Sequence, residues 1–210
     1  MSEKSDQVSN RRRLGVLVSG RGSNLQALID AIDERRLDAS IAVVISNVDH
    51  AGALDRARAA GIEAIYLDHR GRSSRDDYDG ELARQLTARD VALVCLAGFM
   101  RRIGAPLIDA FPRAILNIHP SLLPAFPGVD PQRQALQHGV KISGVTVHLV
   151  TPELDAGPIV LQRSVAVLDD DTAETLAARI LVEEHRAFPE AVQLLLDGRW
   201  KLDGRRFSRL

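Results

Sequence analysis

An α/β fold, with a mostly parallel twisted sheet of about seven strands and helices on both faces, is predicted by three features of the sequence. Apolar runs such as Leu14-Gly15-Val16-Leu17-Val18-Ser19, Ile41-Ala42-Val43-Val44-Ile45 and Val91-Ala92-Leu93-Val94-Cys95-Leu96-Ala97 lack polar alternation, as strands buried on both faces do. Segments with apolar residues at helical spacing separate them, for example Leu25, Leu28, Ile29 and Ile32. Glycine-bearing turns leave the strands, at Gly20-Arg21-Gly22 and at Gly98. In a sheet of this kind ligands gather at the carboxyl ends of the strands.

A chain of 210 residues is close to one domain in size. Residues 1–13 are polar, end in Arg11-Arg12-Arg13 and lack a signal-peptide core; they read as a flexible tail ahead of a single domain over 14–210. Lys and Arg number 27 against 28 Asp and Glu, a net charge of -1, so no global field draws nucleic acid or an anionic membrane. The longest apolar stretch, Val91 to Met100, is short of the ~20 residues of a membrane helix. Cys95 is the one cysteine, which excludes an intrachain disulfide and fits a reducing cytoplasm; in its apolar run it reads as a small buried hydrophobe.

The first strand, the glycine turn and the helix from Asn24 to Arg36 compose a phosphate-binding geometry, with backbone N–H groups at a helix N-terminus. Ser23 and Asn24 can cap that helix as well as touch a ligand. A dinucleotide is disfavoured, because Leu25 stands at the third glycine position and the second strand closes on Ser46-Asn47 without an acid. A helix over Ala51–Ala60 stops at Gly61; strand Ala64–Leu67, a polar loop and a helix over Arg75–Arg89 follow. Beyond strand Val91–Ala97, Gly98-Phe99-Met100-Arg101 falls at a third strand end. Pro124 to Pro131 is a proline- and glycine-punctuated lid or rim, and Gln132–His138 a short helix. Strands 144–150 and 159–167 precede a helix from about Ala173, which Pro189 is expected to interrupt. Trp200–Leu202 and Arg205–Phe207, joined by Asp203-Gly204, read as a terminal hairpin.

The densest chemistry lies in Leu116-Asn117-Ile118-His119-Pro120-Ser121-Leu122-Leu123-Pro124. On a strand Asn117 and His119 project to one side, an amide and an imidazole able to hold a developing oxyanion. Asp155, in the turn-rich Glu153-Leu154-Asp155-Ala156-Gly157-Pro158, can orient that imidazole and favour its charged form. Thr146 and His148 share one face of their strand and are assigned supporting roles, His148 behind Asp155. Two other chemistries fit these residues. His119, His148 and Asp155 compose a two-histidine, one-carboxylate metal set, although Asn117 would then be idle. A phosphate-binding module without turnover is the other.

Asn-Ile-His-Pro-Ser-Leu-Leu-Pro, followed by Leu-Asp-Ala-Gly-Pro and preceded by Gly20-Arg21-Gly22-Ser23-Asn24-Leu25, resembles the signature of the folate-dependent formyltransferases of purine synthesis. The resemblance covers roughly residues 14 to 199 and implies a Rossmann-like phosphate-binding half over 14–112 and a catalytic, folate-binding half over 113–210. It implies formyl transfer from 10-formyltetrahydrofolate, a co-substrate, to the amine of glycinamide ribonucleotide, with no metal. Asn117, His119 and Asp155 match the catalytic residues, and Gly22, Ser23, Asn24 and Glu184 the positions that hold the ribonucleotide. Arg75, Met100, Arg101, Arg102, Ile103, Asn117, Thr151 and Asp155 match the folate pocket. Arg102 replaces an expected aliphatic residue, and Val129-Asp130-Pro131-Gln132 a more polar, histidine-bearing stretch of some relatives; backbone contacts are expected to survive both departures, which bear on the shape and rim of that pocket. Transfer to initiator tRNA or hydrolysis of formylfolate would call for an extra domain. Small molecules are the expected partners of a monomer or homodimer, without nucleic acid or membrane.

Overall fold

A computed structural model describes residues 12–210, so most of the expected tail, residues 1–11, lies outside the described residues. The chain divides into two compact units, one ending at Leu116 and the other beginning at Asn117.

In the first unit β1 (Arg13–Val18) is central, and the strands run β3-β2-β1-β4 with β2 (Ser40–Ser46), β3 (Ala64–Tyr66) and β4 (Leu93–Leu96). All are parallel, Val16 lying opposite Val44 on one side and Cys95 on the other. The apolar runs of β1 and β4 and Val43, Val44 and Ile45 of β2 are buried because helices flank the sheet, as the missing alternation required, while the edge strand β3 is half-buried. Those helices are α1 (Ser23–Asp33), α2 (Gly52–Ala59), α3 (Arg75–Thr87) and α4 (Ala105–Ala110). Leu25 and Leu28 of α1 and Tyr78, Leu82 and Leu86 of α3 complete the core. The sequence reading missed α4, whose six residues with a proline in the first turn are too few to show a period.

The second unit begins within β5 (Ile115–His119) and runs β5-β6-β7-β9-β8, with β6 (Ile142–Leu149), β7 (Ile159–Ala166), β8 (Trp200–Asp203) and β9 (Arg206–Arg209). Helix α5 (Pro131–Gln137) precedes β6, and α6 (Ala173–Leu196) follows β7. The β6–β7 pair is antiparallel, so the sheet is mixed. The α/β class with a mostly parallel sheet stands, but the described residues form nine strands rather than about seven, because the terminal hairpin joins the sheet through Ile159 and Arg206. That hairpin turns one residue later than expected. Asp203 pairs with Arg206, leaving Gly204 and Arg205 in the turn.

Pro189 does not interrupt α6, which runs unbroken for 24 residues. A proline inside a helix costs about 3 kcal/mol. Burial of Leu176, Ile180, Phe188 and Val192 on one face offsets it, and a Thr172–Thr175 capping box secures the start.

Candidate active site

Strand β5 ends by presenting Asn117 and His119 two residues apart, while Leu116 and Ile118 are buried in the core. Both polar side chains find partners whose chemistry fixes their protons. His148 Nδ1 lies 3.1 Å from the Leu149 carbonyl, which can only accept, so this nitrogen carries the hydrogen. Nε2 of the same ring is then a lone-pair acceptor, and Asn117 Nδ2 donates to it at 3.1 Å. Burial, the largest influence, pulls the His148 pKa below its ordinary 6.5 and keeps the ring neutral. One N–H of the Asn117 amide is thereby fixed, and the other is left to meet a ligand.

His119 is set by the same reasoning. Its Nε2 lies 2.9 Å from the Phe126 carbonyl and donates to it, leaving Nδ1 as the nitrogen that takes up a proton. Asp155 Oδ2 faces that Nδ1 at 3.5 Å, and Oδ1 lies 3.7 Å from His148 Nε2. Asp155 has a left-handed backbone, φ 49, and Gly128 N–H donates to its Oδ2 at 2.8 Å. A Cβ at Gly157 would collide with the Leu149 carbonyl, so only glycine permits this turn beside the acid.

The loop from Pro124 to Pro131 is held by hydrogen bonds at several points. Ser121 Oγ donates to the Ala125 carbonyl at 2.6 Å, and Phe126 and Gly128 are held by His119 and Asp155. Thr146 Oγ1 donates to the Ser121 carbonyl and accepts from Leu123 N–H, pinning the segment just before it. Sequence reasoning missed the Phe126 carbonyl and the Gly128 N–H. Pro127-Gly128 signalled a turn, but a backbone group has no residue type by which its partner could be read.

Among the expected residues, Asn117, His119, His148 and Asp155 are thus brought together, with Thr146 one step removed. His148 Nε2 lies 3.1 Å from Asn117 Nδ2 and 3.7 Å from Asp155 Oδ1. Thr151 turns its hydroxyl to the Glu153 carbonyl at 3.4 Å, and Glu184 is buried on α6. Among the described residues no three His, Cys, Asp or Glu side chains are grouped to hold a metal ion.

In the first unit Gly22, not Ser23 or Asn24, is the N-cap of α1, with φ 76 and no side-chain cap. An added Cβ there would lie 2.6 Å from Ala53 Cβ, so close approach as well as conformation demands glycine. Ala53 N–H donates to the Gly20 carbonyl and Arg56 Nε to the Arg21 carbonyl, holding the loop with the uncapped N-terminal amides of α1 beside it. Following β4, Met100 N–H donates to Ser19 Oγ, and Gly104 N–H to Asp79 Oδ2. The Met100 side chain is exposed and the Arg101 guanidinium lies 5.0 Å from the centre of the Tyr78 ring. Arg102 is exposed, Ile103 half-buried, and Arg75 begins α3 with Asp76 at 4.0 Å.

An oxyanion site made of a fixed amide, an imidazole and a carboxylate suits acyl transfer to a nitrogen or to water, and the comparisons decide between families. The formyl transferase family model matches residues 12–192. The chain belongs to the formyl transferase family. This formyl transferase is 47% identical over 190 residues to the trifunctional purine biosynthetic protein adenosine-3 of Drosophila melanogaster, covering 90% of the chain but 14% of that protein. It is 42% identical to the phosphoribosylglycinamide formyltransferase of Escherichia coli (strain K12), covering 89% of this chain and 88% of that one. The crystal structure of glycinamide ribonucleotide transformylase 1 from Symbiobacterium toebii shares 54% identity and a TM-score of 0.93, covering 94% of this chain and 93% of that one. No helix among the described residues is long and apolar enough to cross a membrane.

Proposed function

We propose that this formyl transferase moves the formyl group of 10-formyltetrahydrofolate to the amine of glycinamide ribonucleotide, a step of de novo purine (IMP) synthesis in the cytoplasm. The relatives named for that activity support the reading. The observation that carries it is the placing of Asp155 Oδ2 3.5 Å from His119 Nδ1, beside an amide whose proton pattern is fixed.

The neutral amine attacks the formyl carbon, and the carbonyl electron pair moves onto oxygen. The free N–H of Asn117 and Nδ1–H of charged His119 hydrogen-bond that oxyanion; one such donor is worth ~3–4 kcal/mol in the transition state. The intermediate's new ammonium loses a proton and the folate nitrogen gains one as its bond to carbon breaks. Asp155, whose Oδ2 faces His119 Nδ1, carries that proton, directly or through water. Gly22, Ser23 and Asn24 bind the substrate phosphate through the amides at the start of α1, and Glu184 the glycinamide group. Arg75, Met100 to Ile103, Asn117, Thr151 and Asp155 line the folate. Neither a covalent intermediate nor a metal is needed.

The test follows deformylated folate by absorbance with both substrates present. Turnover that requires glycinamide ribonucleotide supports the reading. Formate release without the amine would instead make the protein a hydrolase, and ligand binding without turnover would leave only a binding module.

A further inference from the structure

Two segments of the first unit with separate assignments, the phosphate loop over 20–24 and the folate-lining loop over 98–103, meet at one hydroxyl. Ser19 Oγ donates to Asn47 Oδ1 at 2.5 Å and accepts from Met100 N–H at 2.8 Å. Ser19 N–H also donates to the Gly98 carbonyl at 3.1 Å. Asn47, buried at the end of β2, gives the hydroxyl one acceptor and thereby turns its lone pair to Met100. The chain enters the phosphate loop at the residue after Ser19 and the arginine pair at the residue after Met100. The far end of the second loop is held separately, by Asp79 at Gly104. Displacement of either loop near Ser19 therefore strains the same pair of hydrogen bonds.

We propose that Ser19, oriented by Asn47, is a positioning residue that couples binding of the sugar phosphate to binding of the folate. Each substrate orders its own loop, and the shared hydroxyl makes the second loop easier to order. Coupling of this kind is reciprocal, so each ligand tightens the other by the same factor. The proposal rests on the assignment of the two loops to the two substrates.

Tetrahydrofolate, which carries no formyl group, serves as the folate probe, so nothing reacts during titration. Its dissociation constant is measured calorimetrically on the full chain with and without saturating glycinamide ribonucleotide. In the native protein the ribonucleotide is expected to tighten tetrahydrofolate about tenfold, within the usual range of coupling between sites. Ser19→Ala should bring that factor close to one and raise both KM values more than it lowers kcat. Ser19→Thr, which keeps the hydroxyl, should retain the coupling. An unchanged factor in Ser19→Ala, or no coupling in the native protein, overturns the proposal. A Ser19→Ala chain that binds neither probe while Ser19→Thr behaves as native shows a structural role and also overturns it. Absence of formyl transfer by the native protein is a different failure, that of the functional reading.

Discussion

Asn117 and His148 fix each other's hydrogens: the ring donates from Nδ1 to the Leu149 carbonyl and accepts the Asn117 amide at Nε2, 3.1 Å away. A proton on Nε2 would replace the acceptor with a second donor and turn the amide away. The pair thus prepares one orientation of Asn117 only while the ring is neutral.

Stability should record that neutrality. Burial lowers the folded-state pKa of His148 below 6.5, so in acid the unfolded chain binds a proton that the folded chain resists. Its contribution is present in full above about pH 6.5 and is lost as pH falls from there toward the depressed folded value. Urea unfolding between pH 5 and 8, approximate bounds for His titration, should show a shallower acid loss in His148→Gln than in the native chain. Equal slopes would place the ring's titration at its ordinary value.

Removal of an oxyanion donor should appear in kcat. Asn117→Ala is expected to lower kcat by about 10²–10³. His148→Ala leaves the amide in place but unoriented and should cost less, roughly fivefold, because about 1 kcal/mol is typical of one lost neutral hydrogen bond. Steady-state kinetics on both variants at one pH ranks the two effects, and the reverse order would contradict the assignment.

Charge and hydrogen bonding separate at Asp155. Asp155→Asn keeps an oxygen to accept Gly128 N–H, which stands at 2.8 Å, but removes the negative charge facing His119. Folding stability should stay within about 1 kcal/mol, the worth of one ordinary hydrogen bond. Turnover should fall at least about a hundredfold, the lower range for positioned proton transfer. Thermal unfolding and single-turnover rates read the two effects independently.

The phosphate loop is predicted to reject any side chain at position 22. Gly22→Ala meets a left-handed φ of 76 and a Cβ 2.6 Å from Ala53 Cβ. A loss of about 1–3 kcal/mol is expected from the strained backbone and the overpacking. The KM for glycinamide ribonucleotide should rise more than that for the folate; equal changes would remove Gly22 from the phosphate site.

What could be read from the chain beforehand follows from where its signals are written. Asn117 and His119 are polar residues at the end of a buried strand, and period-two alternation sufficed to place them on one side. Asp155 could be offered as a partner from its turn-rich loop and was matched by the family signature, but a separation of 36 positions says nothing about distance. The tautomers and the fastening of the 124–131 loop depend on the backbone of Leu149, Phe126 and Gly128, whose geometry no side chain announces. Pro189 misled because local preference yielded to packing along α6. The terminal hairpin slipped by one residue because Gly204, with φ 57, takes the first turn position that Asp203 had been given.

Asp155 holds a left-handed conformation with φ 49, a region that asparagine occupies with comparable ease. Selection for heat resistance alone would therefore have little reason to retain an acid at this position and would let the amide drift in. On the proposed mechanism only turnover distinguishes the two side chains here, so an Asp155→Asn chain should keep its fold while losing its chemistry.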